Sequence, residues 1–251
     1  MHRPMKKERI THGRVLVIGG SEEYVGAPYL AGICALRSGA ESVIVMTPEK
    51  VAWAINALTP DLVTRKLKGK YLSLTHLPQI RRQLRTADIL IIGNGTGTKP
   101  GTTRLLRALM EWEGKKVIDA DALKVLSFPV ENAILTPNER EWKLLERNVG
   151  IPALRARNVL VKKGFPTKIL SARKTFAIRP DRGLQKAGTG DVLAGLCAGF
   201  LAEGCALFEA ARIACLTGNR AAKVLAKRKS GYYLAGDIAK ELQFARMKTL
   251  M

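Results

Sequence analysis

"RVLVIGGSEEYVGAPYLAGICALRSGAESVIVM", residues 14 to 46, sets how the rest of the chain is read. Val15 to Ile18 are apolar without a break, which suits a short strand buried on both faces, and Gly19 and Gly20 end it. From Gly26 to Ala40 the apolar residues return at helical spacing, and "SVIVM" (42–46) is a strand again. Strand, helix and strand in that order form a crossover unit whose two strands lie parallel. The same grammar continues downstream. Helical "PEKVAWAINAL" follows directly, "ADILIIGNG" (87–95) leads into helical "TTRLLRALMEW", and "KKVIDA" (115–120), "AILT" (133–136) and "NVLVKKG" (158–164) are further short strands. Helix "PNEREWKLLER" separates the last two, "TKILSARKTFAIR" (167–179) reads as a two-strand hairpin, and from Gly190 helices run to the end. The expectation is a three-layer αβα fold, a mainly parallel central sheet with helices on both faces, in one domain over residues 1–251.

Composition narrows the function classes. At 251 residues and 47% apolar content the chain can bury a full α/β core. Its basic start has no apolar run and cleavage site of a secretory leader, and no stretch suits a membrane span, so a cytosolic protein is expected. Cys34, Cys197, Cys205 and Cys215 stand singly and only three histidines are present, which suggests neither a zinc site nor a disulfide framework. The net charge of +21 is crowded: from Arg147 to Lys186 the one acid is Asp181. A solvated basic face accounts for most such clusters, and a phosphate-rich ligand or a nucleic acid would be the functional readings. The nucleic-acid reading has little else behind it. Aromatic residues make up 6% of the chain, and neither an RNA-binding aromatic signature nor a zinc finger occurs.

In an open parallel sheet the ligand crevice lies outside the carboxyl ends of the strands. The loops expected there are "GGSEEYVGAP" (19–28), "GNGTGTKPG" (93–101), "DAD" (119–121), "TPNERE" (136–141), "KKGFPT" (162–167) and "KAGTGD" (186–191). One glycine-rich loop alone reads as a tight turn, whereas six in phase with the strands read as a site. The first loop does not have the GxGxxG spacing of a dinucleotide fold, and "GTGTKPGTT" is not a P-loop. The last loop is the most informative. Gly188, Thr189 and Gly190 open an apolar helix, where unpaired backbone N–H groups at the positive end of the dipole can hold an anion. Asp191 beside them is either a helix-capping carboxylate or a base that takes a proton from an attacking hydroxyl, and glycines ahead of it suit phosphoryl transfer better than capping.

With "GTGD" opening a helix and Asn138 and Glu141 forming NxxE earlier, the chain resembles the ribokinase-like superfamily, and within it the ADP/ATP-dependent NAD(P)H-hydrate dehydratase family. The resemblance covers nearly the whole chain. "IIGNGTG" (91–97) stands where that family has a glycine-proline-glycine turn, "VIDADAL" and "ILTPNERE" resemble its acidic and Thr-Pro segments, and "VLVKKGFPT" its nucleotide loop. "LQKAGTGDVLAG" resembles its anion-hole signature, and "SGYYLAGDI" (230–238) its C-terminal segment. The resemblance implies a ribokinase-like fold and an enzyme that restores NADH or NADPH from their hydrates, NADHX and NADPHX, using ADP or ATP with Mg2+. It implies Asp191 as base, Gly188, Thr189 and Gly190 as anion hole, and Lys163, Gly164, Phe165, Pro166, Thr167 and Gly190 as nucleotide contacts. Ala27, Gly95, Asn138 and Asp191 would line the hydrate site, and a homo-oligomer is implied as well.

Two departures keep an alternative open. Asn138 stands where the family has histidine, and Ala187–Gly188 where it has a glycine pair. Asn138 with Glu141 restores the NxxE of the superfamily's sugar and vitamin kinases, where the glutamate organises magnesium through water. A small-molecule kinase acting on a hydroxylated metabolite is therefore the second enzyme reading. A glutamate in a helix's first turn is otherwise ordinary dipole chemistry.

Overall fold

In the computed structural model, which describes residues 13–246, the first unit is β1 (Arg14–Ile18), α1 (Gly26–Arg37) and β2 (Ser42–Pro48). It continues through α2 (Glu49–Leu58), β3 (Val63–Leu67), α3 (Leu77–Leu84), β4 (Ile89–Ile92), α4 (Pro100–Met110), β5 (Lys115–Ile118) and α5 (Asp121–Val125). Next come β6 (Ala133–Leu135), α6 (Glu139–Asn148), α7 (Ile151–Arg157), β7 (Val159–Lys162), β8 (Thr167–Leu170) and β9 (Thr175–Ile178). Three helices close the described chain: α8 (Thr189–Ala202), α9 (Leu207–Arg228) and α10 (Ala235–Arg246). The basic start before residue 13 and the last residues of the expected helical tail lie outside the described residues.

One nine-stranded sheet has the order β3-β2-β1-β4-β5-β6-β7-β8-β9. Every pairing from β3 to β7 is parallel, and the β8–β9 hairpin extends the sheet antiparallel from β7. The mainly parallel three-layer αβα architecture is therefore as the periodicity predicts. Strand alternation divides the apolar residues between two cores: Val15, Val17, Ile89 and Ile91 face one, while Leu16, Ile18, Leu90 and Ile92 face the other. The first core takes residues from α1, α2, α8, α9 and α10, and the second from α3 to α7.

The sequence gives no clear warning of β3, α3, α5 or α7. β3 (VTRKL) is an edge strand whose partly exposed charged residues hide its alternation, and α5 is too short to show a period. α8 matters most for the site. It lies on α1 and α9 and over β1, β4 and β5, and a side chain at Gly195 would run into the Ala31 carbonyl of α1. Its body is thus seated in the core while its first turn stands at the carboxyl ends of the parallel strands.

Candidate functional site

Each strand of the sheet's middle delivers one group to the same place. Asn94 follows β4, Asp119 follows β5, Thr136 follows β6 and Lys163 follows β7; Gly188 to Asp191 arrive with the start of α8. Asp119 is buried, and both its oxygens are occupied. Oδ1 accepts from Thr136 Oγ1 at 2.6 Å and Lys163 Nζ at 3.0 Å, and Oδ2 accepts from Asn94 Nδ2 at 3.1 Å. Asp191 is held more lightly. Its Oδ1 accepts from Asn94 Nδ2 at 2.7 Å, and its Oδ2 accepts from no described residue.

The electrostatics separate these groups further. Burial pushes the Asp191 carboxyl up to about 6, the Asp119 charge adding to the rise while Asn94 and Lys163 oppose it. Burial alone would lower Lys163, but Asp119 and Glu141 beside it carry its ammonium above the ordinary lysine value. Burial also raises Glu141, against the pull of Lys163 and of the Asn138 amide. The site therefore holds a cation, a carboxylate bonded through both oxygens and a second carboxylate poised near neutrality, a combination suited to proton abstraction.

Asp191 does not cap its helix. The N-cap of α8 is Gly188, whose φ of 83° is a left-handed conformation that glycine adopts without strain, and no side chain caps the turn. The N–H groups of Gly188, Gly190 and Asp191 donate to no described residue and remain open to an anion. Thr189, expected to be a third open donor of the anion hole with its neighbours, is used within the turn instead. Its N–H donates to the Lys186 carbonyl at 3.3 Å and its hydroxyl to the carbonyls of Leu184 and Lys186.

Asp119, Lys163 and Gly188 to Asp191 line a cavity of about 500 Å3, together with Asn138, Glu141, Gly164 and Thr167. Its wall also has an apolar part, made by Ile178, Pro180, Leu184, Ala214, Cys215 and Gly218 from β9, its following loop and α9. Phe165 and Pro166 are outside this lining; Phe165 is half exposed beneath the Arg179 guanidinium, 4.8 Å from its ring centre. Ala27 and Gly95 are outside it too, packed against each other beside Tyr24.

Asn138 and Glu141 account for each other. Asn138 is the N-cap of α6: its Oδ1 accepts from the N–H groups of Arg140 and Glu141, and Glu141 Oε2 accepts from the Asn138 N–H at 2.8 Å. That reciprocal box explains NxxE locally and removes the specific reason for preferring a kinase. Glu141 is nonetheless buried at the cavity rather than on the surface.

A family model described as NAD(P)H-hydrate dehydratase matches residues 15–244. A bifunctional NAD(P)H-hydrate repair enzyme from Methanothermobacter thermautotrophicus is 33% identical over 250 residues, covering 90% of this chain and 48% of that protein. The chain belongs to the NAD(P)H-hydrate dehydratase family. A second repair enzyme, from Methanocaldococcus jannaschii, is 34% identical over 244 residues, with 92% of this chain and 47% of that protein covered. The chain spans about half the length of the curated relatives it matches. Among solved structures, an ADP/ATP-dependent NAD(P)H-hydrate dehydratase from Bacillus subtilis, co-crystallised with ATP/Mg2+, aligns with a TM-score of 0.74. It is 21% identical and covers 98% of this chain and 93% of that one, a likeness of fold. Ribokinase from Thermotoga maritima aligns at 0.57 with 13% identity, over 92% of this chain and 99% of that one, so the fold is ribokinase-like.

Within this dehydratase-family chain, two groups central to the site had no role in the sequence reading. Asp119 lay in the "DAD" loop after a strand, a position that could have marked it. Asn94 had only its place in "GNGTG" as a signal, and the α9 wall had none, because Ala214, Cys215 and Gly218 look like ordinary helix core.

Proposed function

We propose that this protein dehydrates NADHX and NADPHX to NADH and NADPH, with ADP or ATP as phosphoryl donor. The observation that carries the reading is Asp191: a carboxylate raised to about 6, with one oxygen free, beside open N–H donors at a helix start and facing a cavity. Asp119 is less suited to that role, since it is buried and both its oxygens already accept from donors, one of them the Lys163 ammonium. Asp191 takes the proton of the ring hydroxyl as its oxygen attacks phosphorus, and the N–H groups of Gly188, Gly190 and Asp191 hold the migrating group with Lys163. Phosphate is then a good leaving group where hydroxide was a poor one. The ring nitrogen's lone pair expels it, and loss of a neighbouring ring proton restores the double bond.

The apolar part of the cavity wall suits the adenine ring, with Gly164 and Thr167 along the nucleotide and Phe165 and Pro166 at its outer edge. Ala27, Gly95 and Asn138 are read as flanking the hydrate. Among the described residues no group of three or more His, Cys, Asp or Glu side chains is placed to hold a metal directly. The residues present fit a Mg2+ carried on nucleotide phosphates, with Glu141 organising it through water, since its second oxygen accepts from no described residue. Such an ion would neutralise phosphate charge. The same reading carries a cytoplasmic location and a homo-oligomer. Exposed Tyr232 and Leu234 support self-association, and no helix of the described residues is long and apolar enough to cross a membrane.

The test supplies purified protein with ADP or ATP, Mg2+ and NADHX. The near-ultraviolet absorbance of reduced nicotinamide should return in step with phosphate release, without a persistent phosphorylated product. Folded protein that binds ADP but repairs neither hydrate with either nucleotide would overturn the reading.

A further inference from the structure

We propose that Asn94 is the positioning residue of this site. One side-chain nitrogen, shared between Asp191 Oδ1 and Asp119 Oδ2, ties the base to the sheet and reserves Asp191 Oδ2 for the substrate hydroxyl. The inference rests on the dehydration reading for what the hydroxyl belongs to, and on geometry for the rest.

Asn94 is fully buried and 97 residues from Asp191 in sequence, so their contact is made by the fold alone. Its two N–H bonds go one to each carboxylate, at 2.7 and 3.1 Å, and both partners only accept when ionised, which fixes which way round the amide stands. Its own Oδ1 has no partner among the described residues and no access to solvent. A buried amide kept for stability would satisfy both ends, because an unpaired buried acceptor is costly. Here the donating end is fully used and the accepting end is given up.

The neighbouring charges explain why a neutral donor stands at this point. Facing Asp191 are Asp119 from the loop after β5, Asp121 at the start of α5 and Lys163 after β7, with Glu141 of α6 behind Lys163. The hydrogen bond of Lys163 goes to Asp119, so among the described residues Asn94 is the one side chain that bonds Asp191. A cation there would hold the carboxylate and also quench its basicity, whereas an amide holds it and leaves it able to accept a proton.

The experiment titrates carbon-13-labelled aspartate carboxyls by NMR in the wild type, Asn94→Ala and the similarly branched but bulkier Asn94→Leu, with Asp191→Asn assigning the signal. Losing the donor should move the Asp191 midpoint upward by ~0.5 pH unit or more, and the acid limb of kcat/KM on NADHX should move with it. Turnover should fall ~10-fold or more while ADP affinity stays within about threefold, a split that simple loss of packing would not give. In the wild type itself, the Asn94 side-chain amide signals should shift with the Asp191 midpoint. This needs no variant to fold. An Asp191 midpoint that stays in place or falls in folded variants, or an Asn94 amide indifferent to that titration, overturns the proposal. A wild type inert on both hydrates refutes the dehydratase reading instead, and the NMR titrations still decide whether Asn94 holds Asp191.

Discussion

Replacing Asp191 with Asn should damage catalysis and improve stability, and the two effects have one cause. The variant keeps size and can still accept from Asn94 through its amide oxygen, but it cannot take a proton. A missing general base lowers turnover by ~10²-fold or more, equivalent to ~2.7 kcal/mol in the barrier. In the folded protein the Asp191 carboxyl has moved from 3.8 to about 6. Its folded value therefore lies above its unfolded one, so its contribution to stability is complete below pH 3.8 and is lost as pH rises through about 6. At ~1.4 kcal/mol for each tenfold in proton affinity the full cost is ~3 kcal/mol, and water reaching the partly exposed group trims it to ~1–3 kcal/mol. Asp191→Asn removes that cost. Against the wild type its Tm at pH 8 should rise by about 2–8 °C, and the gain should shrink steadily toward pH 4. Scanning calorimetry at several pH values, paired with the NADHX assay at pH 8, measures both quantities. A variant less stable than wild type at pH 8 would show that Asp191 is not strained by its surroundings, and one turning over within tenfold of wild type that Asp191 is not the base.

Four further substitutions probe the surroundings. Gly190→Val puts a branched side chain where even a Cβ would be 3.2 Å from Lys163 Nζ and 3.7 Å from Asp119 Oδ2, so calorimetric ADP affinity should fall ~10-fold or more; unchanged affinity in a folded variant would move the phosphates elsewhere. Lys163→Met leaves Asp119 without its cation and should raise the acid limb of the pH–rate profile while weakening nucleotide binding, whereas a lowered limb would contradict the charge arrangement. Asn138→Ala removes a helix cap that also borders the cavity, and should cost ~1 kcal/mol in urea melts and lower turnover as well; unchanged turnover would leave it a cap alone and take it out of the hydrate site. Gly195→Ala forces α8 away from the Ala31 carbonyl and should reduce turnover although Gly195 itself does not line the cavity, an effect that unchanged kcat would exclude.

The parallel core was legible because buried strands such as Val15–Ile18 and Ile89–Ile92 are unbroken apolar runs between helical periods. Asp191 and Lys163 were legible because glycines beside a charged residue after a strand are costly unless used. What escaped was what distance in sequence conceals. That Asn94 would meet Asp191, or that Asp119 would pair with Lys163, depends on strand order, which no local pattern states. Asn138 and Glu141 show the opposite difficulty. Their spacing is the same for a capping box and for a magnesium motif, and only burial and hydrogen bonds reveal that the cap is made while Glu141 still borders the cavity.

The placement of α8 also has a kinetic side. The contacts that make the site join residues 25, 44 and 97 positions apart. Closing the longest of these loops rather than the shortest costs only ~1 kcal/mol more entropy, so separation by itself is a small obstacle. Order of arrival is the larger one. During synthesis Asn94, Asp119 and Lys163 emerge well before Asp191, and until α8 docks, the apolar side of β1, β4 and β5 that it covers has no roof. The helix that brings the base is thus also one that covers part of the first core, before α9 and α10 complete it. A nascent chain places its base in the same event that begins to hide an apolar sheet face from other chains and from chaperones.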